Sequence, residues 1–171
     1  YYDYINEISL HEVNGKKIIV VLVSLINDVK KDDKIINITE LSGKIEDYVV
    51  YYLEELKKVA NNIIFVSDSD IDSRELQKIS HITSHNIVGK HGEYDFGSYK
   101  RGYLYIYENN LLNNYDELIF ANDSCFGPFF SFEKLWDKMN KKECDFWGTN
   151  ENKIEFNPHI QSFFMVFKKQ I

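Results

Sequence analysis

The sequence predicts an α/β domain in which a mostly parallel central sheet carries helices on both faces. Three observations lead to this class: apolar runs that suit buried strands, amphipathic stretches that suit helices, and a regular alternation of the two. This alternation requires right-handed crossovers, which place parallel strands side by side beneath helices. The 171 residues suit one domain. We therefore expect a single domain over residues 1–171 and, because the chain starts without Met, a piece of a longer protein.

The predicted elements of the first half begin with Lys17–Leu25, an unbroken β-branched run typical of a strand buried on both faces. A charged loop over Asn27–Glu40 follows. Apolar residues at three- and four-residue steps then predict a helix from Lys44 to about Asn61. Ile63–Ser67 is the second buried strand.

The middle of the chain continues the alternation. Asp72 and Glu75 have the spacing of a capping box, which predicts a short helix that ends near Ser80. Ile82–Val88 is a weaker third strand, and an aromatic stripe from Tyr99 to Leu111 predicts another helix.

The remaining elements complete the pattern. Ser131 is a helix cap, and the predicted segments are a strand over Glu117–Ala121, a helix from Ser131 to about Lys142, and strands over Asp145–Gly148 and Ile160–Phe167.

Composition excludes several classes of protein. The chain has 20 Lys and Arg against 27 Asp and Glu, a net charge of −7, so we expect no nucleic-acid partner. No apolar run reaches the roughly 20 residues that span a bilayer, which limits membrane association to a peripheral kind. Cys125 and Cys144 have no C-x-x-C spacing, which predicts reduced thiols in a cytosolic protein.

Polar residues follow four of the predicted strands, at the points where ligands bind in sheets of this kind. Ser24 follows the first strand, Asp68 the second, the segment from His91 to Gly102 the third, and Asn122 with Asp123 the fourth. Such a cleft is rich in carboxylates, and a divalent cation held there would bind phosphate oxygens.

The strongest local signal is Asp95-Phe-Gly-Ser-Tyr-Lys-Arg-Gly102. Gly97 lies where a helix is expected to begin, so a ligand can approach its backbone closely. Free amides of a first helical turn favour an anion, and Arg101 adds positive charge. An ordinary N-cap at Asp95 with solvated basic residues is the alternative, and spacing alone leaves both open. The segment lacks the context of a kinase D-F-G and the G-x-G-x-x-G fingerprint.

Asp123 and His159 are further candidates. Asp123 ends the fourth strand, where it can bind a metal or a sugar hydroxyl, or close the strand as an Asx-turn. His159 lies at the start of the last predicted strand, where a lone histidine is more often structural. Spacing pairs none of the other histidines as ligands: His11, His81, His85 and His91. No Ser/His/Asp triad can be assembled, so nucleophilic hydrolysis has no support.

Five segments in order carry a family resemblance: IEDYVVYYLEELKKVANNIIFVSDS, EYDFGSYKRGY, YDELIFANDSCFGPFF, DFWGTN and HIQSFFMVFKK. Together they resemble the rhamnan synthesis protein F family, bacterial glycosyltransferases of cell-wall and lipopolysaccharide O-chain polysaccharides. The resemblance runs from about Lys44 to Lys169.

The resemblance implies a GT-A-like fold that binds a nucleotide-diphosphate sugar, often with Mg²⁺ or Mn²⁺. Related enzymes end the fourth strand with a D-x-D-like element, whereas Asn122-Asp123-Ser124 has one carboxylate. Either Asp123 acts with another ligand or the metal is dispensable. We assign the metal or diphosphate to Asp123 and His159. The residues assigned to the nucleotide donor are Ser24, Asp68, Asp95, Gly97, Arg101 and Asn122.

The general base stays open. In inverting enzymes of this type, an Asp or Glu that takes the acceptor's proton often follows the strand that Ile160–Phe167 matches. The base then lies outside this chain, or it is Asp145 or Glu151, two weaker candidates.

The function that the resemblance implies is transfer of a sugar, with rhamnose expected, from a nucleotide-diphosphate donor to a growing surface glycan on a lipid carrier. Such a protein acts in the cytoplasm, at the inner face of the bacterial membrane. The alternative is a non-catalytic GT-A-like module that binds a glycan or a partner. A nucleotide-sugar pyrophosphorylase ranks last, because SLINDVKKDDK lacks the glycine-rich loop it needs.

Overall fold

The computed structural model describes residues 15–24, 43–153 and 157–169, and the predicted loop over Asn27–Glu40 lies outside them. The strands in these ranges are β1 (Ile18–Ser24), β2 (Asn62–Ser67), β3 (His85–Val88), β4 (Glu117–Asn122), β5 (Phe146–Gly148), β6 (Glu151–Asn152), β7 (His159–Ile160) and β8 (Phe164–Lys168). The helices are α1 (Asp47–Lys57), α2 (Ser73–Gln77), α3 (Tyr94–Glu108) and α4 (Phe132–Met139), with a 3₁₀ helix over Leu111–Asn114.

Six strands form the central sheet in the order β3-β2-β1-β4-β8-β5. β1 pairs in parallel with β2 and β4, and β2 pairs in parallel with β3. β8 runs antiparallel to both β4 and β5. The predicted α/β class with a mostly parallel sheet is therefore confirmed, and β8 is the strand that runs the other way.

Helices cover both faces of the sheet, as predicted. Ile18, Val20 and Leu22 of β1 belong to a core cluster with α1 and α4 residues, whereas Ile19, Val21 and Val23 belong to a second cluster with α3 residues. The direction of the crossovers explains this division. α1 connects β1 to β2 and α2 connects β2 to β3, so the chain moves toward one edge of the sheet. α3 connects β3 to β4 and moves in the reverse direction. Because all these connections are right-handed, α3 lies on the face opposite to α1 and α2.

α3 lies directly against β1 because Gly102 has no side chain. A Cβ atom at Gly102 would lie 2.4 Å from Cγ1 of Val21, a contact that the packed core cannot accommodate without movement. The glycine of the predicted motif thus sets the distance between helix and sheet.

The prediction of one continuous strand over Ile160–Phe167 is wrong. The segment divides into two strands, β7 and β8, which are separated by Gln161–Phe163. The carbonyl of Phe163 accepts a hydrogen bond from the Asn122 amide at 3.1 Å. The Ser162 carbonyl accepts one from the Tyr99 hydroxyl at 2.8 Å. These long-range partners hold the turn between β7 and β8, and the apolar pattern of the segment contains no sign of them.

The predicted capping box is half correct. Asp72 accepts a hydrogen bond from the Arg74 amide at 2.8 Å and so caps α2. The Glu75 carboxylate, however, accepts from the Ile45 amide at 2.9 Å. This contact ties α2 to the residues that precede α1, which starts at Asp47 rather than at the predicted Lys44.

Candidate functional site

The centre of the sheet contains a topological switch point between β1 and β4. From β1 the chain adds β2 and β3 on one side, whereas β4 lies on the other side. Such a point opens a crevice beyond the carboxyl ends of the two strands, where ligands bind in open α/β sheets. Ser24 ends β1 and Asp123 follows β4, so both side chains start from this crevice.

Asp123 is held in place by two hydroxyl groups. The Ser24 hydroxyl donates to its Oδ2 at 2.5 Å, and the Tyr48 hydroxyl also donates to this carboxylate. Asp123 is only 8% exposed, so its orientation is fixed by buried contacts. Burial raises the pKa of Tyr48, and the Asp123 charge adds to that increase. Tyr48 was not among the predicted site residues, since its spacing in α1 resembles that of any helix residue half-buried against a core.

Asn122, the residue before Asp123 in the chain, binds a second carboxylate, that of Asp95. Its Nδ2 donates to Oδ2 of Asp95 at 2.8 Å, and its Oδ1 accepts from the Ser124 amide at 3.2 Å. The Asx-turn considered for Asp123 therefore belongs to Asn122. Asp95 and Asp123 lie at the same edge of the sheet, one from α3 and one from β4.

Asp95 contains an unusual atom. Its Oδ1 is buried and has no hydrogen-bond partner in the described part of the chain. Burial raises the pKa of Asp95, and the bond from Asn122 offsets part of that increase. A buried acceptor without a donor costs free energy, which a ligand hydroxyl, a water molecule or a cation would recover.

The Asp68 carboxylate accepts hydrogen bonds from backbone amides near the start of α3. Its Oδ1 accepts from the amides of His91 at 2.5 Å and Gly92 at 2.8 Å, and the Tyr94 amide donates to the same carboxylate. Burial alone would raise the pKa of Asp68, but these amides outweigh it and lower the pKa below its usual value. Asp68 therefore binds amides of the loop before α3 and the amide of its first residue, and both an anion at the helix start and a nucleotide contact of Asp68 stay predictions.

The helix start differs from the prediction as well. α3 begins at Tyr94, so Gly97 lies one turn inside it and its amide donates to the Glu93 carbonyl at 3.2 Å. A Cβ at Gly97 would lie 2.1 Å from Cβ of Glu93. The expectation that the helix begins at Gly97 and leaves its amide free is wrong, because the Glu93 carbonyl already accepts a hydrogen bond from that amide.

Arg101 directs its charge toward Glu93. Its Nη1 lies 3.0 Å from Glu93 Oε2 and 2.9 Å from the Gly97 carbonyl oxygen. The side chains of Glu93 and Arg101 are both partly exposed, so solvent weakens this pair, and a nucleotide contact of Arg101 stays a prediction.

His91 has a buried side chain, and the sequence predicted its place in the cleft but none of its contacts. Its side chain is 7% exposed, and its Nε2 lies 2.9 Å from the Ser98 hydroxyl. Its Nδ1 accepts from the Glu93 amide at 3.1 Å and lies 3.4 Å from Asp68 Oδ2. Asp68 follows β2, whereas His91 follows β3. The two residues are far apart in the sequence, so no local spacing could have paired them.

Glu151 and His159 lie on the small antiparallel pair of β6 and β7, in which His159 is opposite Asn152. This pair follows the carboxyl end of β5 and precedes the turn that bonds to Asn122, so both residues belong to the same side of the sheet as Asp123. His159 is exposed, and its Nδ1 lies 2.9 Å from the Asn157 carbonyl oxygen.

Asp145 lies at the opposite edge. Its carbonyl accepts from the Lys168 amide, and Lys168 is opposite Glu117 at the start of β4. At about 3.3 Å per residue, the length of β4 separates Asp145 from the candidate site by roughly 16 Å. Because β8 is antiparallel, its end lies at this edge too, so a residue directly after it starts far from Asp123. The structure does not bring Asp145 to the site.

The fold is an open α/β sheet with a topological switch point at its centre, the position at which ligands bind in sheets of this class. Comparison with family models carries the identification further. The model described as rhamnan synthesis protein F matches residues 63–171, and the chain belongs to this family. The resemblance inferred from the five segments is confirmed.

Two curated relatives add context. The uncharacterized protein y4gN of Sinorhizobium fredii is 26% identical over 146 residues, which is 84% of this chain and 37% of that protein. The virulence protein VirA of Vibrio anguillarum is 36% identical over 75 residues, which is 43% of this chain and 22% of that protein. The chain thus spans well under half the length of either relative.

No solved structure matches the chain significantly, so the GT-A type of the sheet stays a prediction. Among the described residues, no helix has the length and apolar character needed to cross a bilayer.

Proposed function

We propose that this chain forms the donor-binding part of a glycosyltransferase of the GT-A type, which transfers a sugar from a nucleotide diphosphate to a growing bacterial surface polysaccharide. The observation that carries the proposal is the convergence of Ser24, Asp95, Asn122 and Asp123 at the β1–β4 crevice. The family supports the choice of reaction, and its description makes rhamnose the sugar to test first. A lipid-carried acceptor at the inner face of the membrane belongs to the same proposal.

The donor's hydroxyl groups match the unpaired atom of Asp95. The Oδ1 of Asp95 is a buried acceptor, and a ribose or sugar hydroxyl is a donor that satisfies it. Asn122 holds the other oxygen of this carboxylate at 2.8 Å, which fixes the direction in which Oδ1 can accept. Asp95 therefore orients a neutral part of the donor.

The residues also fit a divalent cation that is shared with the diphosphate. Among the described residues, no three His, Cys, Asp or Glu side chains lie close enough together to hold a metal ion. Mg²⁺ in proteins is commonly bound by one or two carboxylates together with substrate phosphates, and Asp123 offers one such carboxylate. When bound, the cation would neutralise charge on the leaving diphosphate. His159 starts from the same side of the sheet and is the proposed additional contact.

The acceptor hydroxyl needs a carboxylate that removes its proton, and Glu151 has the better position for this role. Glu151 lies at the carboxyl side of the sheet, and its side chain is 55% exposed beside Lys153 at 3.7 Å. Its exposure leaves the carboxylate open to contact with an acceptor hydroxyl. Asp145 is not retained as a base, since the length of β4 separates it from the crevice.

A non-catalytic module that binds a glycan or partner is the second candidate. It is favoured by the internal use of Asp68, a residue assigned to the donor, whose carboxylate accepts hydrogen bonds from the amides of His91 and Gly92. Hydrolysis or transfer of a nucleotide-sugar by this chain would exclude it, and nucleotide binding without turnover would support it.

Calorimetric titration with dTDP, UDP and GDP, each with and without Mn²⁺, tests the proposal. We expect one nucleotide to bind, and Mn²⁺ to bind measurably only in its presence, because the described residues alone offer too few ligands to hold the cation. Asp123→Asn should weaken nucleotide binding at least about tenfold with little change in melting temperature. Asp137→Asn, on the exposed side of α4, is the matched control. No binding across the panel, or equal losses of affinity and stability, would contradict the proposal.

A further inference from the structure

A stripe of apolar side chains lies on the outer side of α3, away from the sheet. Phe96, Tyr103, Leu104 and Tyr107 are 69%, 39%, 40% and 62% exposed, respectively. Their spacing places them on one side of the helix, roughly opposite Gly102, which faces β1. We call these four residues the α3 stripe. Large apolar side chains clustered in solvent mark an interaction site in soluble proteins.

Contacts within the protein order the stripe. The Tyr103 and Tyr107 rings stack with their centroids 6.3 Å apart, and Phe96 packs edge-on against Tyr99 at 5.9 Å. Tyr103 also lines an apolar groove of about 410 Å³ whose other walls come from β4 and β8. The apolar surface therefore continues from the helix onto the sheet, and its rings are ordered before a partner covers them, which lowers the entropic cost of association.

The area of the stripe is in the range that a dimer interface needs. With roughly 200 Å² for a fully exposed side chain of this size, the four residues offer about 400 Å² of apolar surface. A stable interface buries about 800 Å² on each partner and has an apolar core within a polar rim. The stripe supplies such a core, and the groove and the charged residues beside it supply the remaining area.

Two oppositely charged residues flank the centre of the stripe. Lys100 and Glu108 are both exposed, and each is four positions from Leu104 along the helix. Glu93, just before α3, is paired chiefly with Arg101, at 3.0 Å, and the Lys100 charge contributes less to the lowered pKa of that carboxyl. The Lys100 ammonium group is therefore available to a partner on one side of Leu104, and the Glu108 carboxylate on the other.

We propose that two copies of this chain associate through the α3 stripe, with the two helices antiparallel and a two-fold axis at Leu104. Along the helix, Lys100 and Glu108 each lie about 6 Å from such an axis, in opposite directions. The two-fold therefore places Lys100 of one copy at the same height as Glu108 of the other, twice in each dimer. A parallel pair would place like charges side by side.

Charge argues against a membrane surface as the partner of the stripe. Helices that lie on a membrane have a polar face rich in Lys and Arg, which binds the anionic leaflet. The stripe is flanked by one available cation and one anion, so it offers no such face. A second copy of the chain, in contrast, provides the complementary charge at each position.

Sedimentation equilibrium of the 171-residue chain tests the inference. We expect a monomer–dimer equilibrium, and we expect Leu104→Asp to weaken the dimer at least about tenfold, because the variant places two carboxylates at the axis. The double variant Phe129→Ala, Phe130→Ala is the matched control. It removes two exposed rings from the β4–α4 segment and should leave the equilibrium unchanged.

Charge reversal tests the antiparallel arrangement with residues that are in solvent. Lys100→Glu and Glu108→Lys should each weaken the dimer several-fold, because two symmetric attractions become repulsions. The double variant, which exchanges the two charges, should restore the dimer. This restoration is a result that a loss of folding cannot produce.

Disulfide formation locates the axis. In a chain with Cys125→Ser and Cys144→Ser, Leu104→Cys should form a covalent dimer on oxidation, because the axis brings the two Cβ atoms together. Lys134→Cys, at an exposed position on α4, should not.

The inference is overturned if the chain is a monomer at every concentration, whatever else then binds the stripe. It is also overturned if Leu104→Asp leaves a dimer intact, if the exchanged charges fail to restore association, or if the dimer depends on Phe129 and Phe130 instead. None of these measurements uses a nucleotide, so their failure leaves the proposed donor site standing.

Discussion

Ser24 and Asp123 are 99 positions apart in sequence, and the hydroxyl of one donates to the carboxylate of the other at 2.5 Å. The parallel register of β1 and β4, with Val23 opposite Asn122, brings them together. A shift of that register by one residue would turn alternate side chains to the opposite face and separate the pair. The site thus depends on how β1 and β4 align. The contributions of its residues to stability can be measured without knowing the ligand.

Asp68 is expected to be a stabilising residue in its own right. Asp68→Asn should lower the free energy of unfolding by about 2 kcal/mol at pH 7, because backbone amides around the start of α3 lose a charged acceptor. Urea denaturation measures this change. Asp70→Asn, an exposed carboxylate two residues away, is the control and should change little. A loss below 0.5 kcal/mol, in rough terms, would mean that water replaces the carboxylate at these amides.

The same variant has a defined pH dependence. The folded pKa of Asp68 lies below its ordinary value of 3.8, so its contribution is fully present above pH 3.8 and is lost as the pH falls through the folded pKa. The difference between wild type and Asp68→Asn should therefore be constant from pH 7 to about pH 5 and shrink in stronger acid. A difference that grows on acidification would have the wrong sign for a depressed carboxyl pKa.

Asp95→Asn should separate function from stability. Burial raises the pKa of Asp95, so the folded protein holds its proton more tightly than the unfolded chain and the ionised form opposes folding at neutral pH. The amide variant removes that charge and can keep the contact with Asn122. We expect stability at pH 7 to be unchanged or higher, while binding of the nucleotide found by calorimetry falls about tenfold. A loss of stability without a loss of binding would assign Asp95 a purely structural role.

Gly102→Ala tests the contact between α3 and β1. The new methyl group would lie 2.4 Å from Val21 Cγ1, and such overpacking destabilises by about 1–3 kcal/mol. Thermal or urea denaturation measures the loss. Combining it with Val21→Ala should restore part of the stability lost by the glycine variant, because the smaller side chain makes room. If the two losses simply add, the close approach of helix and sheet is not what Gly102 provides.

Much of the site could be anticipated from local pattern. Ser24 and Asp123 stand where buried apolar runs end, and parallel strands place such ends at one edge, so their position at a shared crevice follows from the strand prediction. Tyr48 itself and the contacts of His91 could not be found in this way. Each of the two residues belongs to the site through one or two contacts with residues far away in sequence, and nothing in its own neighbourhood differs from a helix or loop residue elsewhere.

The amino-acid sequence by itself determined the α/β class, the order of strands and helices, and the family. These depend on apolar periodicity and on ordered segments, which are local properties of the chain. Only the tertiary structure decided the direction of β8, the position of Asp145 at the far edge, and the use of Asp68 to bind backbone amides of the loop before α3. Those features depend on which backbone groups from distant parts of the chain form hydrogen bonds with each other. Local sequence patterns do not determine that pairing.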